Sequence, residues 1–210
     1  MTRMLARREF LWLAGAAALW PMLRRIAFAA GPIGSVAAVQ GPCVIERQGR
    51  SMPLKAGDAV AVGDAISAQA DGRVKLAMSD KSVVSLASGT RVTLAAYQVD
   101  AGGQRQEAKL SLAQGLLRVV VAPADRPAGF EVSTPVGTAV AHSTDIEALP
   151  GSAQVGVLSG SVSLTSGATG RSVTIPSRWG ARLEAGRDPV LARVWGPSEF
   201  QAVTSRTDVR

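Results

Sequence analysis

His142 is the only histidine of this 210-residue chain, and residue types found in hydrolytic sites surround it. Ser143, Asp145 and Glu147 follow within five positions. A serine nucleophile, a histidine base and an orienting carboxylate together perform acyl transfer. In a strand, however, adjacent side chains point to opposite faces, so His142 and Ser143 would be poorly placed to exchange a proton. No nucleophile-elbow motif accompanies them. We therefore predict no catalytic residue and no enzymatic activity.

Metal ligands are equally sparse in the sequence. Cys43 and His142 stand 99 positions apart, which is not a zinc-binding spacing. Several aspartates occupy turn-like positions without an EF-hand loop or a glycine-aspartate nonapeptide repeat. These aspartates are Asp58, Asp64, Asp71, Asp80 and Asp100. We predict no metal site and no cofactor, and we expect Cys43, inside an apolar run, to be a small buried side chain.

Aromatic residues are few after the first 30 positions. Trp179 and Trp195 are the only tryptophans there, accompanied by Tyr97, Phe130 and Phe200. A carbohydrate-binding platform needs several exposed rings, so we expect the tryptophans to pack the C-terminal segment onto the core. Cell-wall glycan stays open as an alternative partner.

Two adjacent arginines introduce an apolar stretch near the start of the chain. Arg7-Arg8-Glu9-Phe10-Leu11 opens the apolar run 10–23, which is shorter than the roughly 17–25 residues of a bilayer-spanning helix. Paired arginines before such a run are typical of twin-arginine (Tat) export signals in bacteria. We therefore identify Arg7, Arg8, Phe10 and Leu11 as an export motif and predict a periplasmic protein.

A small-x-small pattern follows the apolar run. Ala27-Phe28-Ala29 meets the requirement of a signal peptidase, so we predict cleavage after Ala29, with Ala30 as the new first residue. Ordinary secretion and retention of residues 10–28 as an inner-membrane anchor are the alternatives. No later apolar run is long enough to span a membrane, so the mature form is predicted to have no span.

The positive charge of the chain is concentrated in the predicted signal. The full chain carries a formal +7, but residues 1–29 hold five arginines and one glutamate, leaving 18 basic and 15 acidic side chains. The remaining arginines are scattered, without the basic stripe of a nucleic-acid interface. We predict no nucleic-acid partner.

Apolar and polar side chains alternate with period two along most of the remaining chain. Val74, Leu76 and Met78, for example, alternate with polar or small neighbours. Turn signals such as Asp71-Gly72 and Asp80-Lys81 recur at short intervals. The pattern predicts an all-β fold, with a solenoid-like stack of short strands expected and a sandwich as the alternative. One short helix is predicted at 197–203, and the glycine- and glutamine-rich segment 101–106 is predicted to be a loop.

Several strand-and-turn phrases occur in a characteristic order between Gly34 and about Thr165. They are GSVAAVQG at 34–41, PLKAGD at 53–58, GDAI at 63–66, DGRVKL at 71–76, DKSVVSL at 80–86, LSLAQGLLR at 110–118, FEVSTPVGT at 130–138 and VLSGSV at 157–162. In this order and spacing they resemble the FecR domain family. The chain departs from the family at 142–146, where only Thr144 of the "arginine, glycine, threonine, x, phenylalanine" phrase is retained.

The resemblance implies a periplasmic regulatory module that binds other molecules. In its best-known setting the domain relays a receptor's state to a cytoplasmic anti-sigma segment through a membrane helix, and we expect neither part here. We therefore predict an exported, non-enzymatic binding and regulatory module whose partner is an unknown periplasmic or envelope protein. A membrane-anchored signalling component and a cell-wall-associated structural module are the alternatives.

The sequence predicts three segments. Residues 1–29 form the twin-arginine signal peptide, residues 30–165 form the FecR-like β domain, and residues 166–210 form a β extension with a C-terminal tail that packs on the same domain.

Replacing Arg7 and Arg8 by lysine tests the export prediction. Because the twin-arginine receptor reads the guanidinium pair, we expect the double variant to accumulate as uncleaved precursor in the cytoplasm. Cell fractionation followed by mass spectrometry of the N-terminus measures this. Normal export of the double variant contradicts the assignment, and the single change Arg3→Lys is the control expected to leave export intact.

Overall fold

The computed structural model describes residues 31–123, 129–141, 145–148 and 152–209. The predicted export and cleavage residues and the histidine lie outside these ranges, so the expectations for them stay predictions. They are Arg7, Arg8, Phe10, Leu11, Ala27, Ala29, Ala30 and His142.

Strands account for nearly all regular structure in the described residues. The first nine are β1 (Gly34–Gln40), β2 (Cys43–Arg47), β3 (Arg50–Pro53), β4 (Ala59–Val60), β5 (Ala65–Ala68), β6 (Arg73–Met78), β7 (Val83–Leu86), β8 (Thr90–Val99) and β9 (Arg105–Gln114). The next nine are β10 (Leu117–Val120), β11 (Phe130–Thr134), β12 (Gly137–Ala141), β13 (Asp145–Ala148), β14 (Ala153–Val157), β15 (Ser161–Ser166), β16 (Ser172–Pro176), β17 (Trp179–Leu183) and β18 (Val190–Val194).

The strands form two nine-stranded sheets around one apolar core. Sheet A has the order β18-β17-β14-β13-β10-β7-β6-β1-β4, and sheet B has the order β16-β15-β12-β11-β9-β8-β5-β2-β3. One continuous cluster of buried side chains joins residues of both sheets. The chain therefore alternates between the sheets while it advances along both of them. The all-β prediction is confirmed. The two facing sheets resemble a sandwich, whereas the way the strands follow one another along both sheets resembles a solenoid-like stack.

Most neighbouring strands are antiparallel, and the alternation of side chains explains which face is buried. Val74 and Leu76 are buried, whereas Lys75 between them is half-buried on the other face. The pair β9 and β11 is parallel. Most strands thus contribute one apolar face to the shared core, as period-two patterning requires, whereas all four residues of the edge strand β3 are exposed.

The long hairpin of β8 and β9 corrects the loop predicted at 101–106. The connection is only residues 100–104, and Arg105 and Gln106 already belong to β9. Asp100 organises the turn, because its Oδ1 accepts the N–H groups of Gly102 and Gln104 at 2.9 Å each. Glycine and glutamine therefore mark a tight hairpin here, and the residue that follows it faces the interior.

The C-terminal segment folds back across the outer face of sheet A. We call residues 195–209 the C-terminal strap. Its helix α1 (Pro197–Thr207) confirms the predicted helix and is four residues longer. A glutamate-to-backbone bond begins the helix, since Glu199 Oε2 accepts the N–H of Gly196 at 2.8 Å. At its other end Arg118 donates to Thr204 Oγ1 at 2.9 Å, which fixes the helix on the sheet.

Trp195 packs the strap directly onto the sheet backbone. Its ring lies where a Cβ atom of Gly156 or Gly180 would be, on neighbouring strands β14 and β17. Trp195 also joins a small second core formed by Ala87, Leu116 and Val203. The close approach therefore requires glycine at both positions. No helix within the described ranges is long and apolar enough to cross a membrane.

The substitution Gly180→Ala tests this packing. The added methyl group overlaps the indole, so we expect displacement of Trp195 and a loss of about 1–3 kcal/mol in the free energy of unfolding, as for other overpacked sites. Urea denaturation followed by tryptophan fluorescence measures both effects. Gly31→Ala, where the added methyl meets open space, is the matched control. Equal stability and unchanged fluorescence of both variants would contradict the described contact.

Candidate recognition surface

A buried polar network lies at the edge of the core between the two sheets. The turn between β6 and β7 brings in Asp80 and Ser82, while the β8–β9 hairpin brings in Tyr97 and Arg105. Arg105 Nη1 lies 2.5 Å from Asp80 Oδ2, and both side chains are almost fully buried, at 1% and 2% exposure. Tyr97 donates its hydroxyl to Asp80 Oδ1 at 2.5 Å, and Ser82 donates to Asp80 Oδ2 at 2.7 Å.

The network also fixes the chain beyond β10. The N–H of Ala122 donates to Ser82 Oγ at 3.0 Å, and the guanidinium of Arg105 donates to the carbonyl oxygen of Ala122 at 3.5 Å. The Arg105 guanidinium also lies 5.7 Å from the centre of the Phe130 ring, at the start of β11. One charge pair thus joins segments of both sheets.

Electrostatics explain why this buried carboxyl group stays ionised. Burial alone would raise the pKa of Asp80, but the hydrogen bonds from Tyr97, Ser82 and Arg105 together outweigh it and hold the pKa below its ordinary value. Burial, and next the hydrogen bond to Asp80, raise the pKa of Tyr97. Because solvent does not reach the pair, this arrangement holds the surrounding segments in place and is unsuited to proton transfer with a substrate.

A second charge pair, Arg47 and Asp64, lies beside the neighbouring part of the core. Arg47 binds the buried Asp64 with two hydrogen bonds of 2.7 Å and donates a third, of 2.8 Å, to the carbonyl oxygen of Ala59. Asp64 Oδ2 also accepts the N–H of Ala61. These bonds join β2 to the turn between β4 and β5. A cavity of about 350 Å³ adjoins the pair, but the polar groups of the pair already satisfy each other.

Sequence reasoning missed these charged residues. Asp64 and Asp80 were expected as ordinary turn residues, and Arg105 as part of a loop. The register of β8 and β9 shifts at three places, so Arg105 does not stand at the period-two spacing of the buried residues Ala108 and Leu110. The available signal for a buried charge was the position of Arg105, directly next to the alternating pattern of β9.

Other chemistry-bearing groups are not assembled into a site in the described residues. Those residues contain no group of three or more histidine, cysteine, aspartate or glutamate side chains that could hold a metal ion. Cys43 is buried as expected, and burial raises the pKa of its thiol, which disfavours the reactive thiolate.

Exposed apolar side chains concentrate at the β18 end of the stack. We call this group the terminal patch, and its members are Leu158, Trp179, Val190, Leu191 and Val194. Val190 and Val194 are 62% and 54% exposed, and Trp179 is 36% exposed. In the β17–β18 register Trp179 stands opposite Val194. An apolar group of this kind at the edge of a sheet is typical of a protein-binding surface.

The opposite end of the stack is protected. There β4 has only two residues, and β3 carries Arg50 and ends at Pro53, which has no N–H to donate. Short edge strands, charges and proline all discourage contact with other chains. β3 also exposes Met52, so the two ends differ in how many apolar side chains they expose and in how their edge strands are protected.

The backbone at the centre of the terminal patch is held rigidly. The N–H of Arg178 donates to the carbonyl oxygen of Val157 at 2.6 Å, and the N–H of Trp195 donates to the carbonyl oxygen of Arg178 at 2.8 Å. Ser177 Oγ donates to the carbonyl oxygen of Leu158 at 2.9 Å. Trp179 is therefore presented from a pre-organised connection, which lowers the entropy lost on binding.

Replacing Asp80 by asparagine tests the buried network. The change leaves the Arg105 charge buried without its counter-charge, so we expect a loss of about 3–5 kcal/mol in the free energy of unfolding at pH 7. Chemical denaturation measures this loss. The control Glu46→Gln removes the half-exposed ion pair with Arg91, and we expect it to change stability by less than about 1 kcal/mol.

The difference between wild type and Asp80→Asn should depend on pH. Since folding lowers the pKa of Asp80, its contribution to stability is present above the unfolded value of about 3.9 and is lost as pH falls through the folded pKa. The gap should therefore be constant from about pH 5 to 8 and shrink below about pH 4. A gap that grows in acid contradicts the ionised pair.

Comparison with known proteins identifies a central segment of the chain. Residues 64–163 match the family model described as "FecR protein". This range runs from just before β5 into β15, so β1 to β4, which the sequence resemblance included, and β16 to α1 lie outside the match. No curated protein matches the chain.

Two solved structures share the fold. Each is described as a "putative anti-sigma factor" from Parabacteroides distasonis ATCC 8503. One is 12% identical with a TM-score of 0.56, over 67% of this chain and 64% of the other. The second is 13% identical with a TM-score of 0.54, over 65% and 62%. The chain thus spans less than two thirds of the length of either protein, and at this identity the likeness concerns the fold alone. The family match covers just under half of the chain, so β5 to β15 are the part of the chain that is similar to the FecR family.

Proposed function

We propose that this chain is an exported, non-enzymatic recognition module that takes part in regulatory signalling in the bacterial envelope by binding another protein. The FecR domain supports the regulatory class, and the description of the Parabacteroides distasonis structures agrees with that class. The export motif at Arg7 and Arg8 supports the envelope as the place of action.

The terminal patch is the observation that carries the binding role. Its apolar side chains are exposed at the β18 end of the stack, and Trp179 follows a connection that backbone hydrogen bonds hold in place. The Arg105–Asp80 pair is buried in the core, and the buried Asp64 is already satisfied by the partly exposed Arg47. A protein partner fits a patch of several aliphatic side chains with one tryptophan better than a glycan does, because sugars favour several aromatic faces.

Affinity purification of the tagged mature form tests the proposal. Tagged residues 30–210 and the variant Val190→Ser/Val194→Ser are each incubated with cross-linked envelope extract. We expect the wild type to enrich a specific protein at least about tenfold over the variant, since both valines are well exposed and their loss removes apolar contact area. Circular dichroism and a thermal melt verify that the variant is folded.

The matched control is Val62→Ser, an exposed valine near the protected end. It should capture the same protein as the wild type. Failure of the wild type to enrich any protein contradicts the proposal, as does turnover of a substrate by the purified chain. Retention by isolated cell-wall sacculi would instead favour the structural alternative. A mature N-terminus other than Ala30, with residues 10–28 retained, would favour the anchored one.

A further inference from the structure

The terminal patch has an arginine at its centre that occupies an unfavourable backbone conformation. Arg178 has φ +66°, in the left-handed region where glycine or asparagine is normally preferred. Glycine there would remove the steric penalty that a residue with a side chain has in this region. The backbone hydrogen bonds of Arg178 with Val157 and Trp195 hold the residue in this conformation. Backbone strain of this kind concentrates at functional positions.

Three other arginines at this end of the stack have acidic partners. Arg171 lies 3.4 Å from Asp188, while Arg182 and Arg187 lie 3.5 and 3.6 Å from the two oxygens of Glu184. Arg178 is exposed, and no carboxylate of the described residues forms an ion pair with it. Arg178 therefore places a positive charge, without an acidic partner among the described residues, directly beside Trp179.

Pairing of a partner's backbone along β18 is the main alternative use of this end. The register of β17 and β18 shifts between Gly180 and Ala181, opposite Arg193 and Leu191, which places a bulge in the middle of the edge strand. A bulge bends the edge and interrupts the row of free backbone groups that strand addition needs. Recognition here consequently depends on side chains.

We propose that the terminal patch binds a protein segment in which a carboxylate neighbours aliphatic or aromatic side chains. The carboxylate pairs with Arg178, and the apolar side chains cover Trp179, Val194 and Leu158. Tryptophan and arginine together form the strongest anchors of protein interfaces, and a guanidinium beside apolar surface selects an acidic partner. This inference rests on the proposed protein-binding function and adds the chemistry of the partner.

Selection from a random dodecapeptide display library tests the charge preference. The library is panned against the mature wild type, Arg178→Glu and Arg178→Gly. We expect the wild type to enrich peptides with Asp or Glu beside Leu, Ile, Phe or Trp, and Arg178→Glu to enrich Lys or Arg at the same place. A selected acidic peptide should bind Arg178→Glu at least about tenfold more weakly than it binds the wild type. The same peptide with its glutamate changed to lysine should recover binding to Arg178→Glu.

The glycine variant separates binding from folding. Because glycine relieves the left-handed strain, Arg178→Gly should melt at or above the wild-type temperature and still lose the acidic peptides. Arg171→Glu, a change at an exposed arginine of the same end, is the matched control and should keep the acidic preference. Enrichment without acidic residues, or equal binding to Arg178→Gly, overturns the inference.

The envelope extract distinguishes this inference from the function on which it depends. A specific protein captured equally by the wild type and Arg178→Gly overturns the acidic-segment inference and leaves the binding function in place. A wild type that captures no protein and selects no peptide overturns both. Concentration-dependent self-association that Arg178→Gly abolishes would assign the patch to a second copy of the chain. Retention on sacculi that the same variant abolishes would assign it to glycan. Either result overturns the inference.

Discussion

The burial of one apolar face of most strands against the opposite sheet determines the rest of this structure. From β5 onward the chain advances along both sheets in sequence order, so each new strand covers the previous one and leaves its own outer edge free. Such a stack has two ends that no internal strand covers. One end is protected by a two-residue strand and a proline, and the other carries the terminal patch. The functional surface is therefore a consequence of how the stack ends.

The buried charges resolve a second difficulty of this architecture, which is how to hold the sheets in a fixed relation. Apolar side chains define which faces meet but give little directional preference. The Arg105–Asp80 pair supplies direction, because it joins the β6–β7 turn of one sheet to the β8–β9 hairpin of the other and also binds the chain after β10. A buried pair contributes little net stability, but each partner becomes costly to remove.

The strand pattern made the all-β class and the C-terminal helix predictable from the sequence. Alternation at Val74, Leu76 and Met78 was sufficient, because burial on one face leaves a period of two in the sequence. The buried network was not predictable, since a turn aspartate and an arginine after a glycine-rich segment look like solvent-exposed residues. Their meeting depends on register shifts in the hairpin and on contact between sheets, which no local pattern contains.

At the recognition surface, too, the sequence pattern predicted local features but not contacts between distant segments. Trp195 was expected to pack on the core, but its position over Gly156 and Gly180 depends on strands far apart in sequence. Trp179, of the same residue type and with the same expectation, is instead exposed at the end of the stack. Sequence composition could not separate the two rings, because their difference arises from which strand lies at the edge.

Site-specific photo-cross-linking in intact cells tests the central claim most directly. A photoreactive benzoylphenylalanine is incorporated at position 179 of the terminal patch and, in a separate strain, at position 62 near the protected end. Recognition of an envelope protein through the terminal patch predicts a discrete protein adduct at position 179 and none at position 62. Adducts only at position 62, or none at either position, would contradict it.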